Sequence, residues 1–351
     1  MSRKEINSLD LYQVVEEMIL EAKRLVDIKA MPIKVNVMCS GGVDSFTLLN
    51  ILNDLKGKLR LNLFATTLIF GDYVGEIKAV NLVKSFCEKN NIGFIQYDAK
   101  LDEISGNKKV YVRNVLKEYS VRCRPDIVVT GHHKDDRIET IFNRLFSGRL
   151  GPDGVNGFKA FDRMIINKTR TLFVKPFYNV EKNTIIEFAN KHSIKYVEDL
   201  TNFDPDYCER NYIRNIIIPL IKEKFDLDNT LRAMDLIANH ITKLQDDIKL
   251  DFRKGVWKTE EFNQLNLTEA YVVVKRHLMQ IYGVVLNKDK VAELRKVMLN
   301  KPYFVFELHR DGPFKIVIEK NRKNVKIFET TSSFREDSVR DIRDMLSSIQ
   351  P

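Results

Sequence analysis

The chain has 351 residues, 44% hydrophobic and 30% charged, which suits two or three folded domains with a sizeable core and excludes a disordered or fibrous protein. Lys and Arg outnumber Asp and Glu by 57 to 48, a net charge of +9 that fits a polyanionic partner without requiring one. No apolar run approaches the ~18 residues needed to span a bilayer, and the N-terminus lacks a signal-type segment, so a cytoplasmic protein with no membrane partner is expected.

A first amphipathic helix is expected over 11–30. The run from Ile33 to Cys39 is short, β-branched and apolar, the pattern of a strand covered on both faces. It runs into Ser40-Gly41-Gly42-Val43-Asp44-Ser45, after which Phe46, Leu49 and Leu52 follow at helical spacing. Two glycines where a strand turns into a helix allow positive φ or close approach of a ligand to the backbone. A helix N-terminus with bare N–H groups is an anion site. Ser40 and Ser45 add hydroxyls, and Asp44 adds a carboxylate able to hold a metal beside a polyphosphate. No lysine follows in the Walker position, so γ-phosphate transfer of that type is disfavoured.

Further strands are expected at 60–69, 94–97 and 126–133, with helices at 74–90, 108–120 and 134–146. This alternation gives an α/β fold with a doubly wound parallel sheet, whose ligands bind at the carboxyl ends of the strands. The first and fourth strands end in small or polar residues and so should face one crevice. In the helix starting near Lys134, Asp135, Asp136 and Glu139 share one side, while Ile138, Ile141, Phe142 and Leu145 form a separate stripe. Acids in a first turn complement the helix dipole, which accounts for one better than for three. Beside His132 and His133 they can hold Mg²⁺, with Asp44 and Asp136 as ligands. They can equally bind an alkyl amine and accept its proton, since an amine of pKa ~10.4 is almost wholly protonated at pH 7.

The glycine-rich run 147–160 reads as a lid or a connector. Helices are expected at 181–192 and 208–222, and a boundary separates a catalytic domain, 1–222, from a smaller region, 223–351. That region looks mainly helical at 228–250 and 286–299 and ends in a β-hairpin, YFVFELHR paired with FKIVIEK. Between Arg295 and Lys326 nine basic residues face three acidic ones, a possible RNA surface that includes Lys320, Arg322 and Lys323. Cys39, Cys87, Cys123 and Cys208 form no C-x-x-C pair, against a zinc ribbon or a disulfide framework. Cys39, beside the loop, is the one to watch for reactivity.

The loop resembles the SGGxDS loop of the ATP pyrophosphatases, which cleave ATP between the α- and β-phosphates. "TGHHKDDRIETIFNRLFSG" (130–148) resembles the G-H-x-x-D-D-x-x-E-T-x-x-x-R-L-x-x-G segment of the tRNA(Ile)-lysidine synthases. "KPFYNVEKNTIIEFANKHSIKYVEDLTNFDPDYCERNYIRNIIIPL" is similar to that family's Pro-containing strand, Glu-Asp-x-[ST]-Asn segment and R-N-x-[IL]-R helix. The resemblance implies a PP-loop fold of the adenine-nucleotide α-hydrolase type. It implies ATP and Mg²⁺ as cofactors, and as partners free L-lysine and an isoleucine tRNA with a CAU anticodon, whose wobble cytidine is adenylated at C2 and then attacked by the lysine ε-amine. It places ATP at residues 40–45, an active-site cluster at His132, Asp135, Asp136 and Glu139 with Arg113, and Arg144, Arg210, Asn211 and Arg214 near the RNA or bracing the site. The chain departs from the pattern at Thr67 and Phe70, where the family has histidines, and at Lys134 and Arg137, where smaller or neutral residues are common. The alternatives are a PP-loop tRNA thiolase, whose 2-thiocytidine branch carries C-x-x-C pairs, and a nucleotide- or RNA-binding homologue without catalysis.

Overall fold

The computed structural model describes residues 9–26, 32–69, 74–98, 115, 118–147, 155, 157–166, 169–198, 200–246, 248, 250–282, 284, 286, 288–311 and 314–331. The chain forms two compact units, Met1–His240 and Ile241–Pro351. Among the described residues no helix is long and apolar enough to cross a membrane.

The first unit is built on a six-stranded sheet in the order β3-β2-β1-β4-β6-β5, where β1 is Ile33–Met38, β2 Leu61–Ile69, β3 Gly93–Asp98, β4 Ile127–Thr130, β5 Phe161–Ile166 and β6 Thr169–Val174. β1 pairs in parallel with both β2 and β4, and β4 in parallel with β6. β5 closes the edge as an antiparallel hairpin with β6, an element the sequence reading did not include. The chain leaves β1 for β2 on one side and later returns to β4 on the other. The carboxyl ends of β1 and β4 therefore bound the switch point where α/β sheets bind ligands.

Strand alternation explains the buried apolar runs. In β4, Ile127 and Val129 join the main core, while Val128 packs with Val121 and Phe173 in a separate cluster. Asn36 interrupts β1 at full burial. It is satisfied, donating to the Ser120 carbonyl at 2.7 Å and accepting from Thr66 Oγ1 at 3.0 Å. Helix α1 (Leu9–Val26) buries Leu11, Val15, Ile19 and Ala22, one stripe at helical spacing. Helix α2 (Val43–Leu55) is buried on most of its circumference, from Val43 and Phe46 through Leu48, Leu49, Ile51 and Leu52 to Leu55. The helix that carries the loop is thus a core element. Helix α3 (Val74–Lys89) adds Val83 and Cys87 to the same core.

Helix α4 is Lys134–Phe146, with the expected bounds. Its Ile138 and Ile141 pack with Ile213, Ile218, Leu227 and Leu231. These come from a continuous helix α6 (Glu209–Tyr212, a π-helical turn Ile213–Ile217, then Ile218–Lys222) and from helix α7 (Leu227–Asp246). Helix α5 (Lys182–Lys191) packs on α2. The charged departures on α4 have structural partners: Lys134 pairs with Glu181 at 3.1 Å and with Asp228, and buried Arg137 pairs with Asp235 while lying 4.6 Å over the Tyr178 ring. Only 115 and 118–120 of the expected 108–120 helix are described, all helical. Arg113, Phe70 and most of the proposed lid at 147–160 lie outside the described residues.

The second unit contains a four-stranded sheet in the order β7-β10-β9-β8: β7 Val256–Lys258, β8 Phe304–Asp311, β9 Phe314–Lys320 and β10 Asn324–Thr331. The expected hairpin is β8–β9, and β10 extends it by antiparallel pairing with β9. Helix α8 (Thr259–Asn263) precedes helix α9 (Leu267–His277), which starts at an Asn266/Glu269 capping box and continues through a π-helical turn, Leu278–Tyr282. Helix α10 (Lys288–Asn300) follows. Trp257, Phe262, Val274, Leu278, Ile318 and Val325 lie in its core.

One histidine in this core sets a pH dependence. His277 is buried beside Trp257 and Tyr282, with Nδ1 2.6 Å from the Phe252 carbonyl and Nε2 without a hydrogen-bond partner. Burial pushes its pKa down, against the Phe252 hydrogen bond. The folded state therefore favours the neutral ring. The stability this contributes is complete above the unfolded value of ~6.5 and is lost as pH falls through the lower folded value. Trp257 is the chain's only tryptophan, so its fluorescence reports this unit. The unfolding midpoint should fall between pH 7.5 and 5.5, and His277→Gln should flatten that dependence. Equal pH dependence in the two proteins would exclude His277 as the cause.

Candidate active site

β1 ends at Met38, and the chain turns through Cys39 and Ser40 into α2. Gly41 has φ +81°, and a Cβ there would meet the Ala79 Cβ at 2.8 Å, so both the turn and the contact with α3 require glycine. Gly42 is the N-cap of α2 and has no side-chain cap, which leaves N–H groups of the first turn open to an anion. The loop is tied internally. The Ser40 N–H donates to Ser45 Oγ at 3.0 Å, the two hydroxyls lie 3.1 Å apart, and the Gly42 N–H reaches Ser40 Oγ at 3.4 Å. Cys39 is inert here: it is buried, and burial pushes its thiol up to about 11.

The end of β4 lies directly against this loop. A Cβ on Gly131 would come within 2.8 Å of the Ser45 nitrogen and 2.9 Å of the Asp44 carbonyl carbon. Glycine here lets the acidic helix start against the glycine loop. His133 caps α4, its Nδ1 accepting from the Asp136 N–H at 3.4 Å while Asp136 Oδ2 accepts from the His133 N–H at 3.1 Å. His133 Nε2 faces Asp136 Oδ2 at 3.4 Å and Asp44 Oδ1 at 3.8 Å, and its Nδ1 lies 3.7 Å from Asp135 Oδ2. Asp44 of the loop and Asp136 of the acidic helix therefore meet at one imidazole edge. His132 is exposed, with Nδ1 2.8 Å from Thr130 Oγ1 and its ring edge against Phe158.

The three carboxylates of α4 have different partners. Asp135 accepts from the Lys182 backbone N–H and from Lys222 Nζ, each at 2.8 Å. Burial opposes its charge, but these donors outweigh burial and hold the carboxyl below its ordinary value. Asp136 is held low in the same way: burial is outweighed by His133, His132 and Arg210. Glu139 is 1% exposed and is bridged by two guanidiniums, Arg210 and, at 2.7 Å, Arg214 Nε. Arg214 also reaches Asn202 Oδ1 at 3.3 Å, and both arginines lie within 4 Å of Asp136 Oδ1. The helical spacing alone did not indicate that Glu139 would be taken by arginines.

Arg144 donates to the Gly157 carbonyl. Asn211 is buried and donates to the Thr201 and Asp204 carbonyls at 2.6 and 3.0 Å, bracing the turn that presents Asn202. Beside these residues a cleft of about 230 Å³ is lined by Glu139, Thr140, Asn143, Arg144 and Arg210. Thr67, at a position where the family has histidine, is buried and donates to the Cys39 carbonyl at 2.8 Å. In the second unit, Arg322 and Lys323 are exposed in the β9–β10 turn, and Lys320 is half-buried at the end of β9.

The sequence reading missed Lys182, the first residue of α5, whose Nζ lies 2.6 and 2.7 Å from the two Asp44 oxygens. It also missed Lys222. Neither sits in a local pattern that marks it. Lys182 lies 138 residues from its partner, and only packing of α5 on α2 brings them together.

The PP-loop domain model matches residues 14–221 of this chain. The tRNA(Ile)-lysidine synthase of Thermosipho africanus (strain TCF52B) is 28% identical over 291 residues, 75% of this chain and 62% of that protein. The enzyme of the same name from Buchnera aphidicola subsp. Acyrthosiphon pisum (strain APS) is 26% identical over 292 residues, 81% of this chain and 64% of that one. That from Staphylococcus aureus (strain MW2) is 29% identical over 286 residues, with shares of 78% and 61%. The chain spans less than two thirds of the length of these relatives. Since the match takes in more than half of the chain, including the glycine loop, the acidic helix and the arginine helix, this protein belongs to the PP-loop family.

Proposed function

We propose that this protein modifies an isoleucine tRNA with a CAU anticodon, adenylating the C2 oxygen of the wobble cytidine with ATP and then joining the ε-amine of free L-lysine to C2. The observation that carries this reading is the meeting of Asp44 of the uncapped loop with Asp136 of the acidic helix, at one edge of His133. In the first step the C2 oxygen bonds to the α-phosphorus, and the bond to the β-phosphate breaks, releasing pyrophosphate. The open N–H groups of α2 with Ser40 and Ser45 would bind the polyphosphate. In the second step the lysine nitrogen bonds to C2, AMP leaves with the oxygen, and the proton lost by the amine goes to a carboxylate. Asp135 and Asp136 are the candidates for that proton, because their side chains reach solvent while that of Glu139 is buried between Arg210 and Arg214.

The residues fit Mg²⁺. Asp44 and Asp136 are hard oxygen donors from two elements, and among the described residues no cluster of three or more His, Cys, Asp and Glu forms a cage. One or two carboxylates plus phosphate oxygens is the usual way this ion is held. When bound, it would screen the charge of the polyphosphate.

We assign the catalytic domain to 1–222 and tRNA binding to 223–351, aided by Arg144, Arg210 and Arg214. The wobble base must be splayed out of its stack to reach the loop. Neutralising Lys320, Arg322 and Lys323 together should lower tRNA affinity and flatten the log–log salt slope by about 0.7–0.9 per lost phosphate contact. An unchanged slope would make that turn an ordinary solvated surface.

The test of function is nucleoside analysis of this tRNA after incubation with protein, ATP and lysine. Lysidine with stoichiometric AMP and pyrophosphate is expected. Sulfur incorporation, or an unmodified nucleoside, would overturn the assignment.

A further inference from the structure

We propose that Lys182 is a phosphate-binding residue that exchanges its contact with Asp44 for the ATP polyphosphate when Asp44 takes the metal. The inference rests on the ATP reading above and adds a residue to it. Its ammonium contacts both Asp44 oxygens, at 2.6 and 2.7 Å. It therefore neutralises the one loop carboxylate that an entering triphosphate must pass. Without a cation there, Asp44 would join Asp135 and Asp136 around His133 and repel a polyanion.

The backbone of Lys182 is anchored while its side chain reaches solvent. Its N–H is held by Asp135 Oδ2 at 2.8 Å, and its helix packs on α2, the helix whose uncapped N-terminus would bind the phosphates. The side chain is about one-third exposed (34%), so the ammonium can swing without rearranging a core. A lysine is a flexible point charge with three rotatable donors, suited to exchanging a carboxylate for a phosphate. Both partners are about one-third open to solvent, and solvent-accessible pairs contribute little to stability. Fold maintenance is thus a weak reason for its geometry.

The test is equilibrium binding of α,β-methylene-ATP, which cannot be cleaved at the scissile bond, by the wild type, Lys182→Ala, Lys182→Arg, Asp44→Asn and the double variant Asp44→Asn/Lys182→Ala. With Mg²⁺ present, Lys182→Ala should bind about 10- to 100-fold more weakly, the weight of one charge-assisted hydrogen bond, and Lys182→Arg should recover part of the loss. With EDTA in place of Mg²⁺, Asp44→Asn should bind more tightly than wild type, because its lysine is already released. The double variant should lose that gain. Wild-type affinity in Lys182→Ala, or an equal gain in the double variant, would leave Lys182 as a structural ion pair and overturn the proposal. Absence of analogue and ATP binding by the wild type would instead overturn the ATP reading itself, and this inference with it.

Discussion

Asp44→Asn and Ser40→Ala are each expected to lower tRNA-dependent pyrophosphate release about 10²–10³-fold, the usual effect of losing one preorganised charge-stabilising group. Ser40 is held by the loop itself: its hydroxyl lies 3.1 Å from that of Ser45 and accepts from the Gly42 N–H. Alanine would leave the loop's glycines unchanged but remove the hydroxyl that organises them. Asp44 faces His133 and Lys182, so asparagine keeps its size while removing the charge that would hold a metal. Neither change touches the packing of α2, whose Phe46, Leu48, Leu49 and Ile51 remain buried. Thermal unfolding should therefore stay close to wild type while the rate falls. Unchanged pyrophosphate release in both variants would remove the nucleotide assignment from this loop.

Replacing Arg210 and Arg214 together with methionine is expected to destabilise the first unit by about 3–5 kcal/mol, the range for stranding a buried charge. The asymmetry of the pair explains the size. Glu139 is 1% exposed, whereas the two arginine side chains are 49% and 34% exposed. Removing the arginines leaves a carboxylate with no route to water, while removing the carboxylate leaves cations that reach solvent. Adding Glu139→Gln to the double variant should therefore restore most of the loss, a coupling that independent sites would not show. Urea unfolding at pH 7 measures both steps. A loss below about 1 kcal/mol in the arginine double variant, or no recovery on adding Glu139→Gln, would show that Glu139 does not depend on this pairing.

The elements legible in the sequence were those whose information is local. The β-branched run at β1, the glycine turn, and the apolar stripe of α4 each repeat within a few residues at a fixed period, so strand, loop and helix could be read directly. The hairpin Phe161–Ile166 with Thr169–Val174 was missed because Asp162 and Arg163 break the apolar run of edge strand β5, and Arg170 that of β6. β10 was missed although Val325 and Ile327 alternate with Lys326, because its place depends on β9 being there to pair with. The π-helical turn at Ile213–Ile217 leaves no periodic signature, yet it lies in the helix that carries Arg210 and Arg214.

The sequence by itself determined the chemistry on offer: a glycine turn with two hydroxyls and a carboxylate at Ser40–Ser45, and carboxylates at Asp135, Asp136 and Glu139 on one helical side, because side-chain type and spacing along one helix are local properties. Which partner each carboxylate meets was decided only by the tertiary structure. Parallel pairing of β1 with β4 brings Asp44 to His133 and Asp136, α5 brings Lys182 to Asp44, and α6 gives Glu139 to two arginines. These partners lie 75 or more residues apart for Arg214 and Lys182, and a charge's role depends on the opposite charge that packing places beside it, at a distance no periodicity encodes.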